Sequence, residues 1–130
     1  MALKITLKPG EKLILGGAVV TNGSIHKCDL LVNNNAPVLR EKDILTEKDA
    51  TSPCSRIYFA IQLIYIDHEN STIHVNKYWQ LVGELLTAAP SMTGLIDKIS
   101  ENIVNGRYYQ ALKLAGDLIQ LEQEVLRHVR

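Results

Sequence analysis

Few side chains in this sequence have the spacing that catalysis needs. His26 and Cys28 lie two positions apart, so on a strand both would project from one face, a geometry metals use. No further ligands follow at a familiar spacing, and a small thiol beside a surface histidine accounts for the pair. Gly16-Gly17 is followed by Ala18-Val19, without the lysine and hydroxyl of a phosphate loop. No GxSxG, HExxH or paired-carboxylate motif occurs either. His68 and His74 flank a polar stretch, where a histidine is ordinarily just solvated. The expectation is therefore no enzyme, with no catalytic residue, no metal and no cofactor.

What remains is charge and two tyrosines. Residues 1–45 hold six basic groups (Lys4, Lys8, Lys12, Lys27, Arg40 and Lys42) against four acidic ones, and the rest of the chain reverses that balance. The asymmetry marks the first third as the anion-facing side. All seven aromatic residues lie after position 57, which excludes an N-terminal sheet that stacks bases on aromatic rings. An RNA-binding sheet here would have to use strand edges, Arg and Lys. Tyr108 and Tyr109 are neighbours on a helix and point about 100° apart, so one of them faces outward as a candidate partner contact. The other aromatic residues, Tyr58, Phe59, Tyr65, Tyr78 and Trp79, read as helical core.

The elements that must position these groups fall into two textures. Residues 1–45 carry short apolar runs separated by Pro9-Gly10, Gly16-Gly17, Asn22-Gly23 and Asn33-Asn34-Asn35, all turn signals. They predict strands over 2–8, 12–15, 18–21, 24–32 and 38–40. In the first, Leu3, Ile5 and Leu7 alternate with Lys4, Thr6 and Lys8, so the lysines face outward. From residue 52 the period becomes helical. Ser52-Pro53 is an N-cap followed by proline at the first helical position. Ile57, Ala60, Ile61 and Ile64 then form an apolar stripe. Further helices are predicted over 72–88, with Trp79, Val82 and Leu86 on one side, over 93–104, stopping at Asn105-Gly106, and over 107–128. The fold class is α+β: a small antiparallel sheet lobe (1–45), then a lobe of about four helices (46–130).

A chain of 130 residues is long enough to bury a sizeable core without disulfides or metal. Cys28 and Cys54 form no CxxC and read as reduced thiols. Zero net charge removes the simplest sign of a nucleic-acid partner, a strongly basic domain. The longest apolar run, 57–66, falls short of the ~20 residues of a membrane span and is broken by Gln62. Lys4, Lys8, Glu11 and Lys12 interrupt any signal-peptide core. The expected location is the cytoplasm, with no membrane partner.

The motifs LKPGE (7–11), GGAV (16–19), APVLREKDIL (36–45), RIYFAIQLIY (56–65), AAPS (88–91) and NGRYYQALKL (105–114) together resemble the FlbT family of flagellar regulators along the whole chain. The resemblance implies post-transcriptional control of flagellin synthesis through the 5′ untranslated leader of flagellin mRNA. It also implies a second small flagellar protein, FlaF, as companion. The alternative it leaves open is an adaptor or chaperone whose helical lobe binds FlaF or flagellin.

The N-terminal third is also similar to the CsrA family of translational regulators. Gly10-Glu11 falls on that family's Gly-Glu turn and Asn35-Ala36-Pro37 on its Asn-Ala-Pro; Arg40-Glu41 falls on its RNA-contacting Arg and the Glu after it. Lys8 occupies one of two basic positions ending the first strand, and Leu7 replaces the other. This similarity implies RNA contacts at Lys8 and Arg40 and a homodimer formed through the sheet; Lys4, on the outward face of the first strand, and Lys12 are expected to join them as phosphate contacts. Arg suits the role because its planar fork matches a phosphate or a guanine edge.

Overall fold

The computed structural model describes residues 3–129, and the side chains up to residue 127. Ala2, the expected start of the first strand, lies outside the described residues. The chain divides into two units, Met1–Ile44 and Leu45–Arg130, each with its own fold.

The first unit contains β1 (Leu3–Leu7), β2 (Lys12–Leu15), β3 (Ala18–Thr21), β4 (Cys28–Val32) and β5 (Val38–Arg40). They form two antiparallel sheets rather than the expected one: β1 pairs with β4, and β2 lies between β3 and β5. The turn chemistry explains the split. At Lys8-Pro9-Gly10-Glu11 the Glu11 N–H donates to the Lys8 carbonyl at 3.0 Å and Gly10 has φ +76°. That is the positive φ at the third residue which a type II turn requires. Type II turns splay their flanking strands, so β1 and β2 take different partners. At Gly16-Gly17 only the first glycine has positive φ (+61°), as in the type II′ turn of a tight hairpin, and β2 and β3 stay paired from Lys12↔Thr21 to Leu15↔Ala18.

Ile5, Leu7, Leu13 and Val32 form one buried cluster, so both sheets share a core. Leu3, expected on the buried face, is half exposed. β4 starts at Cys28, four residues later than predicted. The residues before it are folded around Asn22, whose side chain is buried. Its amide donates to the carbonyls of Leu7 (3.0 Å) and His26 (2.8 Å), while its oxygen accepts from the Ser24 N–H and hydroxyl. His26 thus lies in a loop and does not share a strand face with Cys28. Among the described residues no three ligating side chains converge on a metal position.

In the second unit, α1 (Pro53–Ile66) packs against α2 (Ser71–Ala88) and α4 (Tyr108–Val129), and α3 (Thr93–Val104) packs against α4. Single 3-10 turns lie at Glu47–Asp49, His68–Asn70 and Pro90–Met92, and one closes the first unit at Glu41–Asp43. Ser52 and Ser55 form a reciprocal capping box at the start of α1. The stripe Ile57, Ala60, Ile61 and Ile64 is buried as expected. Gln62 is buried too; its amide both donates to the Leu45 carbonyl (2.9 Å) and accepts from the Leu45 N–H (2.8 Å).

The buried face of α2 is Tyr78, Leu81, Val82 and Leu85, one step round from the predicted stripe. Trp79 is therefore 42% exposed, its ring edge against Tyr78. Of the five aromatics read as core, only Tyr78 is fully buried, its hydroxyl 2.8 Å from Ser100 Oγ. α3 ends in a Schellman motif, with Gly106 N–H on the Ile103 carbonyl, Arg107 N–H on that of Asn102, and φ +74° at Gly106. α4 buries Ala111, Leu112, Ala115 and Leu118, but its apolar stripe continues past that contact, leaving Val125 and Leu126 about half exposed. Among the described residues no helix is long and apolar enough to cross a membrane.

Candidate nucleic-acid interface

Arg40 closes β5 opposite Leu13, and its side chain reaches back to β1. Nη2 donates to the Thr6 carbonyl at 3.0 Å and lies 3.6 Å from Glu11 Oε2. Glu11 Oε1 accepts from the Lys8 backbone N–H at 2.9 Å. One guanidinium and one carboxylate thus tie β1, the turn after it and β5 together. The two sheets of this unit are joined there by polar contacts as well as by the shared core.

Two of the four basic residues predicted as a site share one partner, Glu11: Arg40 through its guanidinium and Lys8 through its backbone N–H. The other two are engaged elsewhere. Lys4 Nζ is 3.6 Å from Asp29 Oδ2 across β1 and β4, where Asp29 also accepts from the Thr6 hydroxyl at 2.7 Å. Lys12 Nζ donates to the Thr21 hydroxyl across β2 and β3 at 3.3 Å. Their strand positions leave both exposed, as the alternation predicts for Lys4. In the helical unit Tyr109 is the outward member of its pair. Its ring is 5.8 Å from that of Tyr65, and Lys113 Nζ sits 5.0 Å from its centroid, while Tyr108 is half-buried.

Sequence reasoning read Glu11 only as part of a turn and Asn22 only as a turn signal. Glu11 supplies the counter-charge of Arg40, and Asn22 fixes the end of β1. A signal for the second was present: Asn22-Gly23-Ser24 has the pattern of an Asx-turn, in which the Asn oxygen accepts from the N–H two residues on. Nothing local predicts the first, because Arg40 is 29 positions away.

Three carboxyls are held below their ordinary values. Glu11 owes this chiefly to the Lys8 N–H, with help from the Arg40 charge. Asp29 owes it to the Thr6 hydroxyl and then to Lys4. Asp67 owes it to His74 Nε2, 2.9 Å away, and then to the Asn70 amide. A lowered native pKa stabilises the fold above the ordinary carboxylate range, and the benefit disappears as pH falls through the native value. The urea midpoint is therefore expected to hold from pH 7 to about 5 and to drop from there towards about pH 2. A midpoint flat across that acid range would refute this assignment.

The buried Cys54 thiol is pushed up to about 12 by burial and by the nearby Glu122 carboxylate, whose Oε2 accepts from the Cys54 N–H. It is a packing residue at neutral pH, and both cysteines are free thiols.

Compared with known proteins, the chain falls among proteins of flagellum biosynthesis. The family model described as "Flagellar protein FlbT" matches residues 3–126, and the chain belongs to the FlbT family. It is 43% identical to the "Probable flagellum biosynthesis repressor protein FlbT 1" of Bradyrhizobium diazoefficiens over 96% of this chain and 85% of that one. It is 39% identical to a Caulobacter sp. K31 relative of corresponding name over 99% of each chain. Identity is 38% to the "Flagellum biosynthesis repressor protein FlbT" of Caulobacter vibrioides, over 99% of this chain and 92% of the relative. These relatives are named as repressors, and the family is one of regulators, not enzymes. No solved structure matches the chain.

Proposed function

We propose that this protein acts in the cytoplasm as a repressor of flagellum biosynthesis, by binding the 5′ untranslated leader of flagellin mRNA through its sheet unit. The observation that carries this reading is the position of Arg40. Its side chain is part exposed, next to the Glu11 carboxylate that also accepts from the Lys8 N–H, at the end of a strand that has only one partner in its sheet. Unpaired RNA offers base edges that pair with strand-edge N–H and C=O groups, and phosphates that pair with Arg and Lys. Lys4 is exposed on β1, and Lys12 opens β2 after the turn. Contact with about three phosphates gives a salt slope near −2 for a single strand, a modest value that suits a neutral protein.

The test is a titration of the full-length protein against a flagellin-mRNA leader and a scrambled leader at two salt concentrations. Specific binding is expected, weakened roughly tenfold by Arg40→Ala in a protein that stays folded. Equal, weak binding of both RNAs would sink the reading.

A second reading is favoured by one observation: the exposed apolar groups of the helical unit, Trp79, Tyr109, Val125 and Leu126. They suit an adaptor that holds a FlaF-like protein or flagellin and reaches the mRNA only through that partner. Equal, weak binding of both RNAs in the same titration is the result this adaptor produces.

A further inference from the structure

The group that RNA binding calls on, the Arg40 guanidinium, already has an anionic partner inside the protein. Glu11 Oε2 stands 3.6 Å from Arg40 Nη2, and the Glu11 side chain is less exposed than that of Arg40, 19% against 41%. Its other oxygen is fastened to the Lys8 N–H within a turn shaped by Gly10. Glu11 therefore cannot follow the guanidinium outward. A phosphate that engages the Arg fork through two parallel N–H···O bonds has to replace Glu11 as the anion facing Nη2. The Thr6 carbonyl is a neutral acceptor and offers less opposition.

We propose that Glu11 is an internal competitor for Arg40, and that it sets the affinity of the sheet unit for RNA phosphate. The proposal rests on the reading in which Arg40 contacts RNA. It gives the Gly10-Glu11 turn of this chain an electrostatic role besides its structural one. Arg40 is held over the Thr6 carbonyl in the free protein, and each binding event exchanges a carboxylate for a phosphate at the same guanidinium. Charges flank Glu11 on both sides, Lys8 in the turn and Arg40 from β5, and only the second has to leave.

The experiment measures leader-RNA affinity for the full-length wild type, Glu11→Gln, Arg40→Ala and the double variant. Gln keeps an oxygen to accept from the Lys8 N–H, so the turn is retained while the charge is lost. Glu11→Gln is expected to bind roughly two- to fivefold tighter, the range a part-exposed ion pair commands. The gain should shrink at high salt and be absent when Arg40 is alanine. An unchanged or weaker Glu11→Gln protein would overturn the proposal, since it would make Glu11 a support that positions Arg40 for RNA. A gain that persists without Arg40 would overturn it too. If Arg40→Ala binds like wild type, the RNA role of Arg40 fails and the competition with it. That result is distinct from one in which Arg40→Ala weakens binding and Glu11→Gln leaves it unchanged. Glu11→Asp provides a second variant should the Gln protein not fold. It keeps a carboxylate in the turn but draws it back from Arg40, and an intermediate gain is expected; no gain would again overturn the proposal.

Discussion

Asn22→Ala is expected to destabilise the sheet unit by about 2–4 kcal/mol and to weaken whatever Arg40 binds. The side chain is buried and makes four hydrogen bonds, two as donor and two as acceptor. Alanine removes all four. The Leu7 carbonyl, whose bond to Asn22 is buried, loses the amide that satisfies it there, and an orphaned buried acceptor costs about 1–3 kcal/mol. The His26 carbonyl, 2.7 Å from the Ser24 oxygen, takes the hydroxyl proton that Asn22 no longer accepts, so the loss there is smaller. Thr6, which anchors Arg40, is the residue before Leu7, so loosening the end of β1 reaches the basic site directly. Hydrogen exchange of the β1 and β4 amides reads the effect. Ser24→Ala is the control: it removes only the hydroxyl, leaves both amide donations in place and should cost about 1 kcal/mol. An Asn22→Ala protein whose β1 amides exchange as slowly as those of wild type would show that Asn22 does not hold this strand.

Local chemistry made most elements legible, and non-local partnership made the rest illegible. Gly16-Gly17, Ser52-Pro53 and Asn105-Gly106 each impose a conformation through their own backbone. The strands and helices they bound, β2, β3, α1 and α3, fall where the residues put them. Strand pairing is another matter. Whether β1 pairs with β2 or β4 depends on the turn type at Pro9-Gly10, and a Pro-Gly turn signal does not by itself say whether the strands it joins will pair. Side-chain direction fails in the same way. Both 78/81/82/85 and 79/82/86 have helical spacing, and the choice between them rests on distant partners, α1 against α2 and Ser100 at the Tyr78 hydroxyl. Gln62 looked like a break in an apolar run because its partner, Leu45, lies 17 positions back. The same limit applies to the site. Lys8 and Arg40 were named by resemblance, whereas the Glu11 carboxylate between them emerges only once β5 lies beside β2.

The largest stability effect is expected at Ile61. Its side chain is fully buried in α1, the helix that packs against both α2 and α4, so Ile61→Ala removes apolar atoms from the middle of the unit and leaves a cavity there. Such truncations cost about 2–5 kcal/mol, the lost transfer free energy plus the unfilled volume. A site enclosed from two sides collapses poorly, which places the expected loss near the top of that range. Ile73 in α2 gives the comparison at fixed chemistry: the same residue type, on a helix in the same unit, but 65% exposed. Ile73→Ala should change stability by no more than about 0.5 kcal/mol, since alanine is the better helix former and little burial is lost. Urea unfolding of the two variants followed by helical circular dichroism measures the contrast. Similar midpoints for both would mean that α1 is not the centre of the helical packing. A large loss at Ile73 alone would mean that its exposed face is covered in solution, and the adaptor reading would then gain a surface on α2.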